Sequence, residues 1–318
     1  MEKDLKTETV VWDLSCMYAG LDDPQIDADV VTLVQMAKRF NDAYKGKLAD
    51  TLGKAIADYA EMQMLSNKVM IYLYLTQSRD VTNGAVKAKI ADIERALNQS
   101  SAEYLTFFTI ELVALDDTVL EKLYVADAVV LKHRPWIEHA RVFKPHLLSE
   151  PVEAALTRRA SFGKRAWSEL FDELDADLRF NYKDEEKTIE EILHLLGQLQ
   201  DADERAEILR IINNGLSGFF AKYAAQTLYM VAGSRAIETK DRGYPNPMDG
   251  VNKSNRVSSV VVDALHNAVR TVAAPLARRY YRLKAAHLGV QALKWSDRNA
   301  PLPFTDTTSV PFDGAWGA

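Results

Sequence analysis

Apolar residues recur at intervals of three and four along most of the chain, the spacing that places side chains on one face of an α-helix. We predict three long amphipathic helices before residue 115, the first after a turn at 21–24, with turn residues at 78–84 between the second and third. Long helices with short joins predict an antiparallel helical lobe. The apolar positions of the three helices are, in order, Val30, Leu33, Val34, Ala37, Phe40, Tyr44 and Leu48; Leu52, Ile56, Tyr59, Met62, Leu65 and Val69; and Val86, Ile90, Ile93, Leu97, Tyr104, Phe108 and Leu112.

Beyond a break at Asp116-Asp117 the predicted elements become shorter. Two starts have side chains suited to capping, a capping box at 188–191 and a second acidic start at 201–204. The remaining predictions are a helix start at 149–151, a helix through Ala166 and Leu174, a short strand at 178–182, a helix through Tyr223, Leu228 and Val231, a polar loop at 235–255, two helices reaching about Val290, and no helical period over 299–318.

These elements predict a mainly helical, all-α fold with at most a minor β element. We expect an N-terminal helical lobe over 1–115, a middle helical segment over 116–200 and a third part over 201–318.

The composition restricts the class of protein. The chain has 318 residues, 47% hydrophobic and 26% charged, as soluble globular proteins have. Cys16 is the single cysteine, so no disulfide can form within the chain. The N-terminal segment lacks the apolar core of a signal peptide and no run of eighteen apolar residues occurs. We therefore expect a cytoplasmic protein with no membrane partner.

The charge is unevenly distributed. The net charge of −6 argues against a nucleic-acid partner, yet residues 251–300 contain nine Lys or Arg against two acids. Two interpretations stay open, a basic helix face that rests on an acidic neighbour and a surface that binds phosphate.

A search for catalytic motifs predicts no catalytic residue and no metal ligand. A catalytic zinc ion typically takes three protein ligands, and H-E-x-x-H supplies two of them from one helix face. No two of the six histidines are four residues apart. His194 has Glu190 and Glu191 about one turn away, a pair that could contact a metal, but the interpretation we adopt is a surface ion pair. The patterns G-x-S-x-G, G-x-x-x-x-G-K-[ST] and G-x-G-x-x-G are also missing.

The helical segment 278–284 combines arginines with two tyrosines. Tyr280, Tyr281 and the arginines could face a cleft and hold a peptide backbone or a carboxylate, since the guanidinium fork suits carboxylates. The alternative is that the tyrosines pack inward while the arginines point to water or to neighbouring acids.

Three groups of residues together resemble oligoendopeptidase F and its relatives in the thimet-oligopeptidase-like group. They are 162–173 with 177–180; 243–249 with 254–256; and 280–284 with 288–289 and 295–303. The opening Trp12-Asp13-Leu14 followed by Tyr18 is similar to the same group, so the resemblance covers about 12–312. The stretch 249–253 departs mildly from the arginine-containing version in the family.

The resemblance implies a cytoplasmic, helical zinc endopeptidase that cleaves short peptides in a deep channel, with the N-terminal lobe as one wall. The family's zinc helix, third glutamate ligand and transition-state stabilisers lie beyond the segment matching 297–303, so no catalytic or metal residue carries over. Residues 201–318 would then be the start of the catalytic domain, ending before the zinc motif. Zinc is expected in complete family members and not bound by this chain. Tyr244, Arg256, Tyr280 and Tyr281 are the candidate substrate-cleft residues.

Three hypotheses follow. The chain is the N-terminal part of such a peptidase, inactive alone; or it is a non-catalytic helical module that binds peptides or a protein; or it is a helical interaction protein. Its expected partners are short peptides, a C-terminal half of the enzyme, or a second copy. For the last hypothesis we expect uncovered apolar faces over 205–290, since large exposed apolar patches drive association.

Overall fold

A computed structural model describes residues 12–302 and has a mainly helical architecture, as predicted. Within this range there are fifteen α-helices and one antiparallel pair of strands. The helices are α1 Pro24–Tyr44, α2 Leu48–Arg79, α3 Gly84–Tyr104, α4 Thr106–Ala114, α5 Asp117–Ala126, α6 Ala128–Lys132, α7 Arg134–Arg141, α8 Glu150–Arg159, α9 Lys164–Ala176, α10 Ile189–Gln198, α11 Ala202–Gly215, α12 Phe219–Asp241, α13 Asp249–Ser254, α14 Ser259–Ala268 and α15 Ala274–His287. The strands are β1 Phe180–Tyr182 and β2 Glu185–Lys187.

The three predicted N-terminal helices are present, with two errors of boundary. Leu48 does not extend α1 but begins α2, because the chain reverses at Gly46, whose φ of +75° suits glycine. The third predicted helix is two helices, α3 and α4, with a break at Leu105. At this break the side-chain amide of Asn41 donates to the carbonyl oxygen of Tyr104 at 2.9 Å, a contact across 63 residues that local periodicity cannot reveal.

Both predicted capping sites are confirmed. The backbone N–H of Thr188 donates to the Glu191 carboxylate at 2.7 Å, while the Glu191 N–H donates to the Thr188 hydroxyl at 3.3 Å. At the start of α11, one carboxylate oxygen of Asp201 accepts from the backbone N–H groups of residues 203 and 204. These side chains satisfy amide groups that a helix start leaves without partners.

Two predictions downstream need correction. The predicted polar loop at 235–255 is largely helical, because α12 continues to Asp241 and α13 occupies Asp249–Ser254. The predicted strand at 178–182 is β1, but its partner β2 was missed because its residues are all charged and show no alternation. Lys183 and Asp184 join the strands, both with the positive φ that a tight two-residue hairpin turn requires.

The chain divides into two compact units. The larger unit comprises residues 14–173 and 226–259, and the smaller unit comprises the described parts of 1–13, 174–225 and 260–318. The predicted domain boundaries at 115 and 200 stay predictions. No helix within 12–302 is long and apolar enough to cross a membrane.

The larger unit has an extensive core. One cluster is built on aromatic side chains, with Phe40 and Phe108 packed edge to face at 5.0 Å and Trp136 against Phe108. A second cluster holds the first three helices together around Ile26, Val69 and their neighbours. Burial of these faces supplies most of the stability of the helices, since the intrinsic propensity of isolated helices is small.

The smaller unit has a more limited core, which consists of Phe180, Ile192, Leu196, Ile208 and Ile212 with their partly buried neighbours. The predicted uncovered face at 205–290 is therefore wrong for α11, whose Ile208 and Ile212 are buried. It is confirmed further along, where large apolar side chains are exposed. These include Leu228, Tyr229 and Ile237 of α12, Val260 and Leu265 of α14, and Val272 and Leu276 beyond them.

Candidate functional site

The most distinctive cavity of the smaller unit lies between one face of α15 and the segment that follows it. Arg278, Tyr281, Arg282 and Ala285 are spaced by three, one and three residues, so they share one face of the helix and line the cavity together. We call this space the cationic pocket; its volume is about 610 Å³. The other wall is formed by Gln291, Ala292, Leu293, Lys294, Trp295 and Arg298.

The second wall is shaped by the way α15 ends. Gly289 has φ +69°, and the N–H groups of Gly289 and Val290 donate to the carbonyl oxygens of Ala286 and Ala285. A left-handed glycine with these bonds is a common helix stop, and it turns the chain back. The returning segment then forms a short 3₁₀ turn at Trp295–Asp297.

A buried ion pair fastens this segment to the rest of the smaller unit. Arg205 of α11 donates to one carboxylate oxygen of Asp297 through Nε at 3.2 Å and Nη2 at 2.8 Å, and both side chains are buried. The backbone N–H of Lys294 donates to the other carboxylate oxygen at 3.0 Å. Buried Lys284 donates to the carbonyl oxygen of Arg298 at 2.8 Å. We call these four groups the 297 clamp.

The contacts of the clamp shift the pKa values of Asp297 and Lys284. Burial raises the pKa of Asp297, but hydrogen bonds from Arg205 and from the Lys294 backbone outweigh it and hold that pKa below the ordinary value. Burial, followed by the nearby Arg205 charge, lowers the pKa of Lys284. Both carboxylate oxygens of Asp297 therefore accept hydrogen bonds within the clamp.

The pocket has an excess of positive charge. Four of its lining residues are cations, Arg278, Arg282, Lys294 and Arg298, and none of its lining residues is an acid. Among residues 12–302 these four side chains form no ion pair, whereas Lys253 in the same basic stretch pairs with Asp249. The guanidinium of Arg298 lies over the Trp295 ring at 4.7 Å, which holds both groups at the pocket wall.

The structure separates the four candidate cleft residues between the units. Tyr281 lines the cationic pocket and Tyr280 lies beside it, with ring centroids 5.4 Å apart. Both rings are exposed, so the alternative of inward-packing tyrosines is wrong. Tyr244 and Arg256 belong to the larger unit.

Tyr244 packs in the larger unit, where its ring stacks on that of His146 at 4.1 Å. His146 donates from Nδ1 to the carbonyl oxygen of Arg242, and Arg242 donates to both carboxylate oxygens of Glu153 at 2.7 and 3.0 Å. Arg256 is exposed at the end of α13 with φ +57°, a conformation unusual for a residue with a side chain.

The sequence places Lys294 and Arg298 in the basic stretch 251–300, but it does not predict that they and Trp295 share a site with Arg278. Their signal was a run of aromatic and basic residues soon after a basic helix, but their meeting with Arg278 depends on the turn at Gly289. His194 also differs from prediction, because its ring contacts the Gln198 amide at 2.7 Å instead of a glutamate.

Comparisons with known proteins agree with the sequence resemblance. The profile of a family described as oligopeptidase F matches residues 111–180. The chain resembles the N-terminal half of oligoendopeptidase F. It is 26% identical over 321 residues to the group B oligopeptidase PepB of Streptococcus agalactiae, covering 97% of this chain and 51% of that protein. It is 22% identical over 308 residues to an oligoendopeptidase F homolog of Lactococcus lactis, covering 94% of this chain and 50% of that protein.

The fold is also that of a solved oligoendopeptidase. The crystal structure of oligoendopeptidase-F from Enterococcus faecium superimposes with a TM-score of 0.75 at 22% identity, covering 88% of this chain and 56% of that one. The chain thus spans about half the length of the curated relatives it matches.

The described residues do not fit a catalytic zinc ion. Such a site takes three protein ligands around an open position, and no group of three His, Cys, Asp or Glu side chains that could hold a metal occurs in the described range.

Proposed function

We propose that this chain is a peptide-binding part of an oligoendopeptidase F-type peptidase and that it does not hydrolyse peptides by itself. The lack of hydrolysis is proposed because the described part of the chain does not supply the side chains that a catalytic zinc ion needs. The 318-residue sequence has no H-E-x-x-H, and the described residues bring no three suitable ligands together. Resemblance to oligopeptidases over nearly the whole chain supports peptides as the ligand class.

Hydrolysis by the purified chain tests this proposal directly. Internally quenched fluorescent peptides are incubated with the chain and added Zn²⁺, with a full-length oligopeptidase relative as positive control. We expect no cleavage above the buffer rate. Cleavage that a chelator abolishes and that copurifies with the chain would overturn the proposal.

A non-catalytic role in binding peptides is the alternative, and the cationic pocket is compatible with both proposals. Adding a C-terminal half of a relative distinguishes a peptidase part from an independent binding module. A peptidase part should bind peptides and support cleavage when a C-terminal half of a relative is added, whereas an independent binding module should bind without restoring cleavage.

Self-association is a second candidate. Leu265, Val269, Val272 and Leu276 are all exposed along α14, the π-helical turn at Val269–Ala273 and the start of α15. Large exposed apolar patches drive association. We expect light scattering to report a mass that rises with concentration, and Val272→Gln with Leu276→Gln to reduce it. A constant monomer mass would contradict this candidate.

A further inference from the structure

The charge and shape of the cationic pocket carry an inference about its ligand. We propose that the pocket binds a peptide carboxylate, so that the chain prefers short acidic peptides to neutral ones. This inference rests on the proposed peptide-binding function and names the chemical class that the site selects.

The unbalanced charge of the pocket is positive, which favours an anionic ligand. The four cations of the pocket lack ion-pair partners among residues 12–302, and the nearest acid in sequence, Asp297, already accepts hydrogen bonds on both oxygens. Three of the four are arginines. A planar guanidinium matches the two oxygens of a carboxylate and forms stronger hydrogen bonds with it than with a neutral group.

The pocket wall formed by residues 294–298 is held in place before any ligand binds. The 297 clamp fixes the segment that bears Lys294, Trp295 and Arg298, so this wall does not have to be ordered when a ligand arrives. Arg298 is already oriented by the Trp295 ring. On the opposite wall, Arg278 and Arg282 are one turn apart on a single helix face, which directs both toward the same space.

The size of the pocket, its aromatic side chains and the net charge of the chain indicate which type of anion it binds. A cavity of about 610 Å³ has the size of a small-ligand site, and its aromatic groups Tyr281 and Trp295 can contact an apolar side chain beside the carboxylate. A nucleic-acid surface would need a basic track on a basic protein, but this chain has a net charge of −6. An acidic peptide is therefore the favoured occupant.

Calorimetric titration of the full 318-residue chain tests the inference. Three short peptides share one apolar sequence and differ in their carboxylates. The Glu peptide has a central Glu and blocked ends, and the blocked Gln peptide has Gln at that position. The third peptide has the same Gln and a free C-terminal carboxylate. In about 50 mM salt we expect the Glu peptide to bind about tenfold more tightly than the blocked Gln peptide, and the difference to shrink at high salt. The third peptide distinguishes a side-chain carboxylate from a terminal one.

Matched variants locate the effect. Arg278→Gln combined with Arg282→Gln should reduce the preference for the Glu peptide to about twofold or less. Arg279→Gln, on the same helix but outside the pocket lining, should leave the preference unchanged. If the double variant does not fold, as judged by circular dichroism, Arg282→Gln alone replaces it, since this exposed side chain lines the pocket and makes no contact of the clamp.

The outcomes separate the two proposals. Equal binding of all three peptides, unaffected by the variants, would leave peptide binding intact and overturn the carboxylate pocket. No binding by any peptide would overturn the peptide-binding function and the pocket together. Tighter binding of a single-stranded oligonucleotide than of the Glu peptide would also overturn the inference, in favour of a phosphate ligand.

Discussion

Two cavities lined by charged side chains, one taken from each unit, differ in how those charges are balanced. In the larger unit, Arg165 pairs with Glu94 at 2.6 Å and with Glu169 at 2.8 Å, and Lys87 pairs with Glu173 at 2.8 Å. In the smaller unit the four cations of the pocket have no such partners among residues 12–302. Charged residues in a cavity indicate a ligand only where the protein does not neutralise them itself.

The same contrast extends to the buried acid–arginine pairs. Glu153 and Arg242 of the larger unit keep about a sixth of their side-chain surface exposed, at 15% and 17%. Asp297 and Arg205 of the smaller unit expose only 7% and 3%. Because water screens the first pair more than the second, the loss of one partner should be more costly in the clamp.

The largest expected effect comes from breaking the clamp. Asp297→Ala leaves Arg205 and Lys284 buried without an opposite charge, which should cost about 3–5 kcal/mol of unfolding free energy. Glu153→Ala in the larger unit should cost less, about 1–3 kcal/mol, because Arg242 can reach water. Urea unfolding followed by circular dichroism measures both.

Asp263→Ala serves as the control for these two variants, since Asp263 is an exposed acid of the smaller unit. Its effect should stay within about 0.5 kcal/mol. A smaller loss for Asp297→Ala than for Glu153→Ala would reverse the order derived from burial.

A moderate effect is expected from pH. Burial raises the pKa of Glu153, but hydrogen bonds from Arg242 and the Leu148 backbone outweigh it and lower that pKa below its ordinary value of 4.5. A lowered folded-state pKa contributes stability that is complete above the ordinary value and is lost as the pH falls through the folded value. The pKa of Asp297 is also lowered, so its contribution to stability is likewise lost at low pH.

Stability should therefore decline as the pH falls below about 4.5, and Glu153→Gln should make this decline shallower. Thermal or urea unfolding at a series of pH values measures the slope. If the variant and the original chain lose stability in parallel down to about pH 3, the ionised Glu153 does not contribute as inferred.

The smallest effect is expected in the cavity of the larger unit. Arg165 is partly exposed, so its ion pairs are screened by water, and Arg165→Gln should cost about 0.2–1 kcal/mol. Nearly buried Glu94 would keep the hydrogen bond from the Tyr74 hydroxyl. Arg158→Gln, an exposed arginine on α8, is the control. A cost above about 3 kcal/mol would mean that this cavity depends on its charges as strongly as the clamp does.

Periodicity alone was sufficient for most of the helices, because each buries one face and must repeat apolar residues at helical spacing. The helix caps at Thr188 and Asp201 could also be predicted from sequence, because their hydrogen bonds join residues two or three apart. The resemblance over about 12–312 also indicated the fold of the solved oligoendopeptidase.

Contacts between distant residues were decided only by the tertiary structure. The break between α3 and α4 is supported by Asn41, and the strand β2 exists because β1 pairs with it. The cationic pocket needs Asp297 to meet Arg205 across 92 residues. Local patterns specify which face of a helix is apolar, but which charges acquire partners, and which stay available to a ligand, depends on how the chain brings remote segments together.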